Sequence, residues 1–92
     1  MKNFFYRVKE GDGVISLSNR FCVPTRDLIE ENALKGEIRE GDVLFITPKD
    51  NAYPVLPHET AKDVSEKFGI PADEVLKSNG VLYLFYGLVL RI

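Results

Sequence analysis

Ninety-two residues with a mass of 10.4 kDa hold one ordinary domain or two very small ones, which excludes multidomain machinery and any large enzyme scaffold. With 45% hydrophobic and 28% charged residues the chain has globular composition, and 12 Lys and Arg against 14 Asp and Glu leave a net charge of -2, without the basic surplus that binding to nucleic acid usually requires. A single cysteine, Cys22, and a single histidine, His58, exclude an internal disulfide and a protein-only zinc site, and no cofactor is expected.

In chain order, the first nine residues interrupt their apolar positions with Arg7 and Lys9, so no export signal is expected in them, while Tyr6 and Val8 alternate on one face of a short strand. Val14, Leu17, Ser18 and Phe21 follow at i, i+3, i+4 and i+7, which predicts an amphipathic helix with Ser18 at its closest packing point and Asp12 as its cap. Pro24 belongs to the first turn of a second helix, which turns Leu28 and Ile29 inward and closes at Asn32. Gly41 then starts a returning strand through Val43, Leu44 and Ile46.

The same order comes round again. Sliding the sequence by 47 positions places Tyr6 on Tyr53, Val8 on Val55, Ser18 on Ser65, Phe21 on Phe68, Pro24 on Pro71 and Asn32 on Asn79; an offset of 46 places Gly41, Val43, Leu44 and Ile46 on Gly87, Val89, Leu90 and Ile92. In the second copy Pro54 must sit at a strand edge, and Thr60 with Asp63 forms a capping box ahead of Ala61, Val64, Ser65 and Phe68. Gly69 ends that helix in the left-handed conformation, so Cys22, its counterpart, is expected to adopt the same strained geometry. Val75 and Leu76 face inward from the next helix. The longest apolar run, residues 81–90, is about half of the roughly 20 residues a membrane-spanning helix needs, and is expected to be strand and core.

These residues resemble the LysM (lysin motif) family, whose modules run aromatic-x-Val-x-x-Gly-Asp-Thr-Leu, a helix ending Phe-Gly-Val, then Leu-x-x-x-Asn and Gly-x-x-Leu-x-Ile. The first copy carries Tyr6-Arg7-Val8-Lys9-Glu10-Gly11-Asp12, Arg20-Phe21-Cys22-Val23, Asp27-Leu28, Asn32 and Gly41-Asp42-Val43-Leu44-Phe45-Ile46; the second carries Lys67-Phe68-Gly69-Ile70-Pro71, Glu74-Val75-Leu76 and Asn79. The resemblance implies an α+β architecture of two tandem βααβ modules, residues 1–48 and 52–92 with 49–51 as linker, each with two helices packed on a two-stranded antiparallel sheet. Modules this small, joined so closely, are expected to touch and share apolar surface.

By the same resemblance the chain is a non-catalytic binder of N-acetylglucosamine-containing glycans, peptidoglycan or chitin oligomers. The implied groove runs between two loops: Gly11, Asp12, Gly13 and Val14 with Leu34, Lys35, Gly36, Glu37 and Ile38 in the first copy, and His58, Glu59 and Thr60 with Leu82 and Tyr83 in the second. An N-acetyl group needs backbone amide partners and a small apolar floor, which a glycine loop beside Val, Leu or Ile supplies. The same glycines also serve as a plain turn before a helix. The first copy departs from the family at Gly13, where Thr is usual, and the second at His58 and Glu59, where Gly-Asp is usual.

Residues 81–86, Val-Leu-Tyr-Leu-Phe-Tyr, are far more apolar than the family's loop. They are either buried against the first copy or a second molecule, giving a possible homodimer, or present Tyr83 and Tyr86 as a sugar platform. Asp27, Glu30 and Glu31 form a carboxylate cluster read as a solvated helix face rather than a catalytic pair, and a nucleophile made of Cys22 and His58 would require the copies to fold face to face. The competing function is protein assembly on the same scaffold. Family resemblance suggests an envelope or spore-associated setting, with the cytoplasm as the alternative.

Overall fold

A computed structural model describes residues 2–92 and gives the order β1 (Phe4–Arg7), α1 (Val14–Phe21), α2 (Thr25–Glu31), β2 (Val43–Ile46), β3 (Ala52–Pro54), α3 (Ala61–Phe68), α4 (Ala72–Ser78) and β4 (Val89–Arg91). Strand β1 pairs antiparallel with β2, placing Phe4 opposite Ile46 and Arg7 opposite Val43, and β3 pairs antiparallel with β4, placing Tyr53 opposite Leu90. The two sheets are separate, and each half of the chain runs strand, helix, helix, strand. No helix among the described residues is long and apolar enough to cross a membrane.

Each half has its own core. Val8, Leu17, Val23, Leu28, Leu44 and Ile46 form the first; Val55, Val64, Val75, Leu88 and Leu90 form the second. The helical positions at equal offset, Leu17 and Val64 or Leu28 and Val75, lose a methylene in the second half, which therefore buries less apolar surface. Ile15 of the first half packs against the second core, so apolar surface is shared as expected.

Helix starts follow different devices. Thr60 Oγ1 accepts from the Asp63 amide while the Asp63 carboxylate accepts from Thr60 N, the reciprocal box expected at α3. At α1 the cap is Gly13, whose amide donates to Ser16 Oγ at 2.9 Å; Asp12, expected to cap this helix, turns its carboxylate elsewhere. Pro24 and Pro71 stand one residue ahead of α2 and α4, at the cap rather than inside the first turn.

Among the described residues, three other than glycine have left-handed backbones, Cys22 (φ 56°), Ala33 (φ 51°) and His58 (φ 64°). Each faces a left-handed glycine 47 positions away: Gly69 (φ 69°), Gly80 (φ 64°) and Gly11 (φ 86°). The backbone thus follows one path in both halves even where the side chain opposes it. Cys22→Gly, Ala33→Gly and His58→Gly are each expected to raise stability by about 1 kcal/mol, measured by urea unfolding, because relief of the left-handed strain exceeds the added unfolded-state entropy.

Asn32 and Asn79 do more than end α2 and α4. Asn79 Nδ2 donates to Val75 O at 2.8 Å and Arg91 O at 3.1 Å, and its Oδ1 accepts from Arg91 N at 2.6 Å. Asn32 makes the same three bonds to Leu28 O, Phe45 O and Phe45 N. The amide side chain acts as a third strand for one residue, tying each helix pair to its sheet.

The halves meet through unlike surfaces, with α1 and α2 of the first lying along β4 of the second. Val89 N–H donates to Thr25 Oγ1 at 3.0 Å, and Arg91 Nε donates to Asp27 Oδ1 at 2.6 Å. Val89 is 2% exposed in consequence, whereas its counterpart Val43 is 53% exposed. Ile15, Thr25 and Arg91, which build this contact, correspond to Lys62, Ala72 and Phe45, so the free faces do not carry the same interface.

In the carboxylate cluster on α2, Glu30 and Glu31 are exposed as expected of a solvated face, while Asp27 is buried in this contact. Asp27 is 6% exposed and pairs with Arg91 and with Lys49 Nζ at 3.1 Å; Glu30 accepts from Arg91 Nη2 at 2.8 Å, and Glu31 pairs with Lys49. The cations come from distant positions because the chain folds β4 and the connecting segment back onto α2. Residues 81–86 divide between the two expectations: Val81 and Leu84 pack on the second core, while Leu82, Tyr83, Phe85 and Tyr86 are exposed, and only Val89–Arg91 of the long apolar run is strand.

Candidate functional site

A groove of about 690 Å³ opens where the amino end of α1 faces the loop between α2 and β2. Gly11, Asp12, Gly13, Val14, Ile15 and Ser16 form one wall, and Gly36, Glu37 and Ile38 the other. Gly11 takes φ +86°, a conformation that its side-chain-free backbone tolerates. At Gly36 a Cβ would meet nothing within 4 Å, so the groove is open beside that backbone, whereas the Gly13 amide donates to Ser16 Oγ and its carbonyl accepts from Leu17 N and the Ser16 hydroxyl. Val14, Ile15 and Ile38 supply apolar surface between them.

Of the residues expected in this groove, Leu34 packs on the first core and Lys35 points into solvent, neither lining it. Ile15 and Ser16 line it without having been expected. Ile15 carried a signal: it is apolar where the second copy has Lys62, and it lies off the core-facing stripe of α1.

Asp12 borders the groove, but its carboxylate is held by a clamp. Tyr6 Oη donates to Oδ2 at 2.6 Å, Lys9 N donates to the same oxygen at 2.9 Å, and Arg20 Nη2 meets Oδ1 at 3.0 Å. The Arg20 guanidinium also lies 5.7 Å over the Tyr6 ring, which stands edge-on to Phe21 at 5.2 Å. In the second half Glu59 takes the same part: Tyr53 Oη donates at 2.8 Å, Leu56 N at 3.0 Å, and Lys67 Nζ sits 3.0 Å from Oε2 and 4.9 Å over the Tyr53 ring. These acids fix the loop after each first strand instead of facing a ligand. The signal was present as Tyr6, Asp12 and Arg20 recurring as Tyr53, Glu59 and Lys67 at one offset.

The remaining expected residues of the second half do not line the groove described. His58 is exposed with a left-handed backbone, Thr60 caps α3, and Leu82 and Tyr83 are 92% and 70% exposed.

Both clamps hold their acids below the usual carboxylate range. For Asp12 the Tyr6 hydroxyl contributes most, followed by the Lys9 amide, with Arg20 adding to them. For Glu59 burial opposes ionisation, and the Leu56 amide, Tyr53 hydroxyl and Lys67 ammonium together outweigh it. A folded-state pKa below the unfolded one means the stabilisation is complete above about pH 5 and is lost as pH falls through and below roughly 4. Asp12→Asn and Glu59→Gln are expected to flatten this acid limb in melting temperature measured between neutral and acidic pH.

Residues 6–47 match the model of the LysM domain. LysM domains are in general non-catalytic modules that bind peptidoglycan and other N-acetylglucosamine glycans. The whole chain aligns with 22% of the crystal structure of the spore cortex-lytic enzyme SleL of Bacillus cereus, at a TM-score of 0.50 and 23% identity, which shows a shared fold. A second similar structure, the spore cortex-lytic enzyme SleL of Bacillus megaterium QM B1551, covers 96% of this chain and is covered over 22% of its own, at a TM-score of 0.45 and 25% identity. The chain thus spans about a fifth of either enzyme. No curated protein matches it.

Proposed function

Taking residues 6–47 as a LysM domain, we propose that the chain is a tandem of two such modules, residues 1–48 and 52–92, and that it binds N-acetylglucosamine-containing glycans of the peptidoglycan or chitin type without catalysis. The observation that carries this reading is the groove between residues 11–16 and 36–38, whose glycine backbone and apolar floor suit an N-acetyl group. A carboxamide there exchanges hydrogen bonds with main-chain N–H and C=O, and its methyl rests on Val14 or Ile38. Binding without catalysis is supported by the acids: Asp27, Glu30 and Glu31 pair with Arg91 and Lys49, Asp12 and Glu59 pair with Arg20 and Lys67, and Glu37 shares the groove only with the clamped Asp12. The recurring left-handed positions and the paired clamps support the tandem reading.

Gly36→Trp tests the site, because a Cβ at Gly36 meets nothing within 4 Å and the ring enters the groove without disturbing the core. The protein is expected to sediment with insoluble peptidoglycan or chitin, and the variant to lose at least about tenfold in retention at an unchanged melting temperature. Equal retention of the two proteins, or none by either, would refute the groove. A second reading, protein assembly, is favoured by the exposed Leu82, Tyr83, Phe85 and Tyr86; it expects a dimer in light scattering that Phe85→Asp disperses.

A further inference from the structure

The exposed aromatic loop of the second half adjoins the groove of the first. Ile15 lines that groove, packs on the second core, and places Cγ2 only 3.3 Å from where a Cβ on Gly87 would stand. Asn19 reinforces the junction by donating to both Ile15 O and Gly87 O. The residue before Gly87 is Tyr86, 71% exposed, and Tyr83 and Phe85 stand edge-to-face at 6.3 Å beside it in the sequence. Val81 and Leu84 anchor this loop in the second core, so its outward rings are held and not trailing.

The rings occur only on this side of the contact. At an offset of 46, Phe85 and Tyr86 correspond to Arg39 and Glu40 in the first half. The bonds from Val89 and Arg91 to Thr25 and Asp27 fix the relation of the halves before any ligand arrives. A ligand spanning both pays little to orient them.

We propose that Ile15 joins the first-half groove and the Tyr86 loop into one continuous path, which takes a glycan longer than a single module accommodates, with the Tyr86 ring stacking on the apolar face of a sugar beyond the groove. This rests on the glycan reading above. It assigns a specificity role, selection for chain length, to a residue of the half whose own first loop has lost the Gly-Asp pair.

Calorimetric titration with the trimer and the hexamer of N-acetylglucosamine tests it. The hexamer is expected to bind more tightly than the trimer, and Tyr86→Ala to weaken hexamer binding by roughly tenfold while leaving the trimer within about twofold. Tyr86→Phe, which keeps the ring, is expected to retain the hexamer advantage. A trimer that binds with a hexamer advantage unaltered in Tyr86→Ala would overturn the continuous path and leave the groove standing. Binding of neither oligomer would overturn both. A wild-type dimer in light scattering that Tyr86→Ala converts to monomer, with the hexamer advantage intact, would assign the rings to a second copy and overturn the path as well.

Discussion

Replacing Asp27 with alanine is expected to lower stability by about 2–3 kcal/mol, less than the 3–5 kcal/mol typical of a fully buried pair because its partners remain partly wet. Asp27 is 6% exposed, while the Arg91 and Lys49 side chains keep 34% and 31% of their exposure and are partly rehydrated once the carboxylate is gone. Because Asp27 bridges α2 to β4 and to the connecting segment, the loss falls on the contact between the halves. Melting should drop by more than about 10 °C in calorimetry for a chain of this size. Arg91→Ala combined with Asp27→Ala should cost clearly less than the sum of the two, since both remove one pair. Additive losses would show that the pair contributes nothing across the interface.

Asn79→Ala is expected to cost about 2–3 kcal/mol as well, through a different mechanism. The side chain is 3% exposed and its three bonds satisfy Val75 O, Arg91 O and Arg91 N; alanine removes the side-chain partner of both Arg91 groups and leaves Val75 O the longer bond from the Ser78 hydroxyl at 3.4 Å. The Arg91 amide should lose its protection in hydrogen exchange ahead of the rest of β4. Asn32→Ala, at a less buried position, should show a smaller loss with the matching signature at Phe45. Retained protection at Arg91 in Asn79→Ala would remove the clamp from the account.

What the sequence made legible was the part each half repeats. The i, i+3, i+4, i+7 stripes, the Thr60–Asp63 box, the left-handed Gly69 and Cys22, and the glycine turns at Gly41 and Gly87 are local consequences of backbone geometry, and the elements stand where those signals place them. The interface was not legible, because it depends on which half covers the other. Asp27 reads as one of three acids on a solvated helix until Arg91, 64 positions away, lies beside it. The apolar residues 81–86 likewise read as core, whereas α1 and α2 cover only the strand that follows and leave the loop outside.

The groove was half legible. The glycines at 11, 13 and 36 lie along it, yet Asp12, the most polar member of the expected set, is drawn away by Tyr6 and Arg20. Sequence spacing places a carboxylate near a loop but does not say which way it turns. The offset of 47 positions carried more than spacing did: where the halves agree, as at Tyr6 and Tyr53, the residues hold the fold, and where they differ, as at Ile15 and Lys62, the difference marks the contact between them.

The most direct measurement is a two-dimensional NMR titration of the isotope-labelled protein with the N-acetylglucosamine trimer. The account predicts saturable amide shifts concentrated at Gly11, Gly13, Val14, Gly36 and Ile38, with the Lys9 and Asn79 amides left in place. Shifts that are absent at saturating sugar, or that gather on the second half while the groove stays silent, would contradict it.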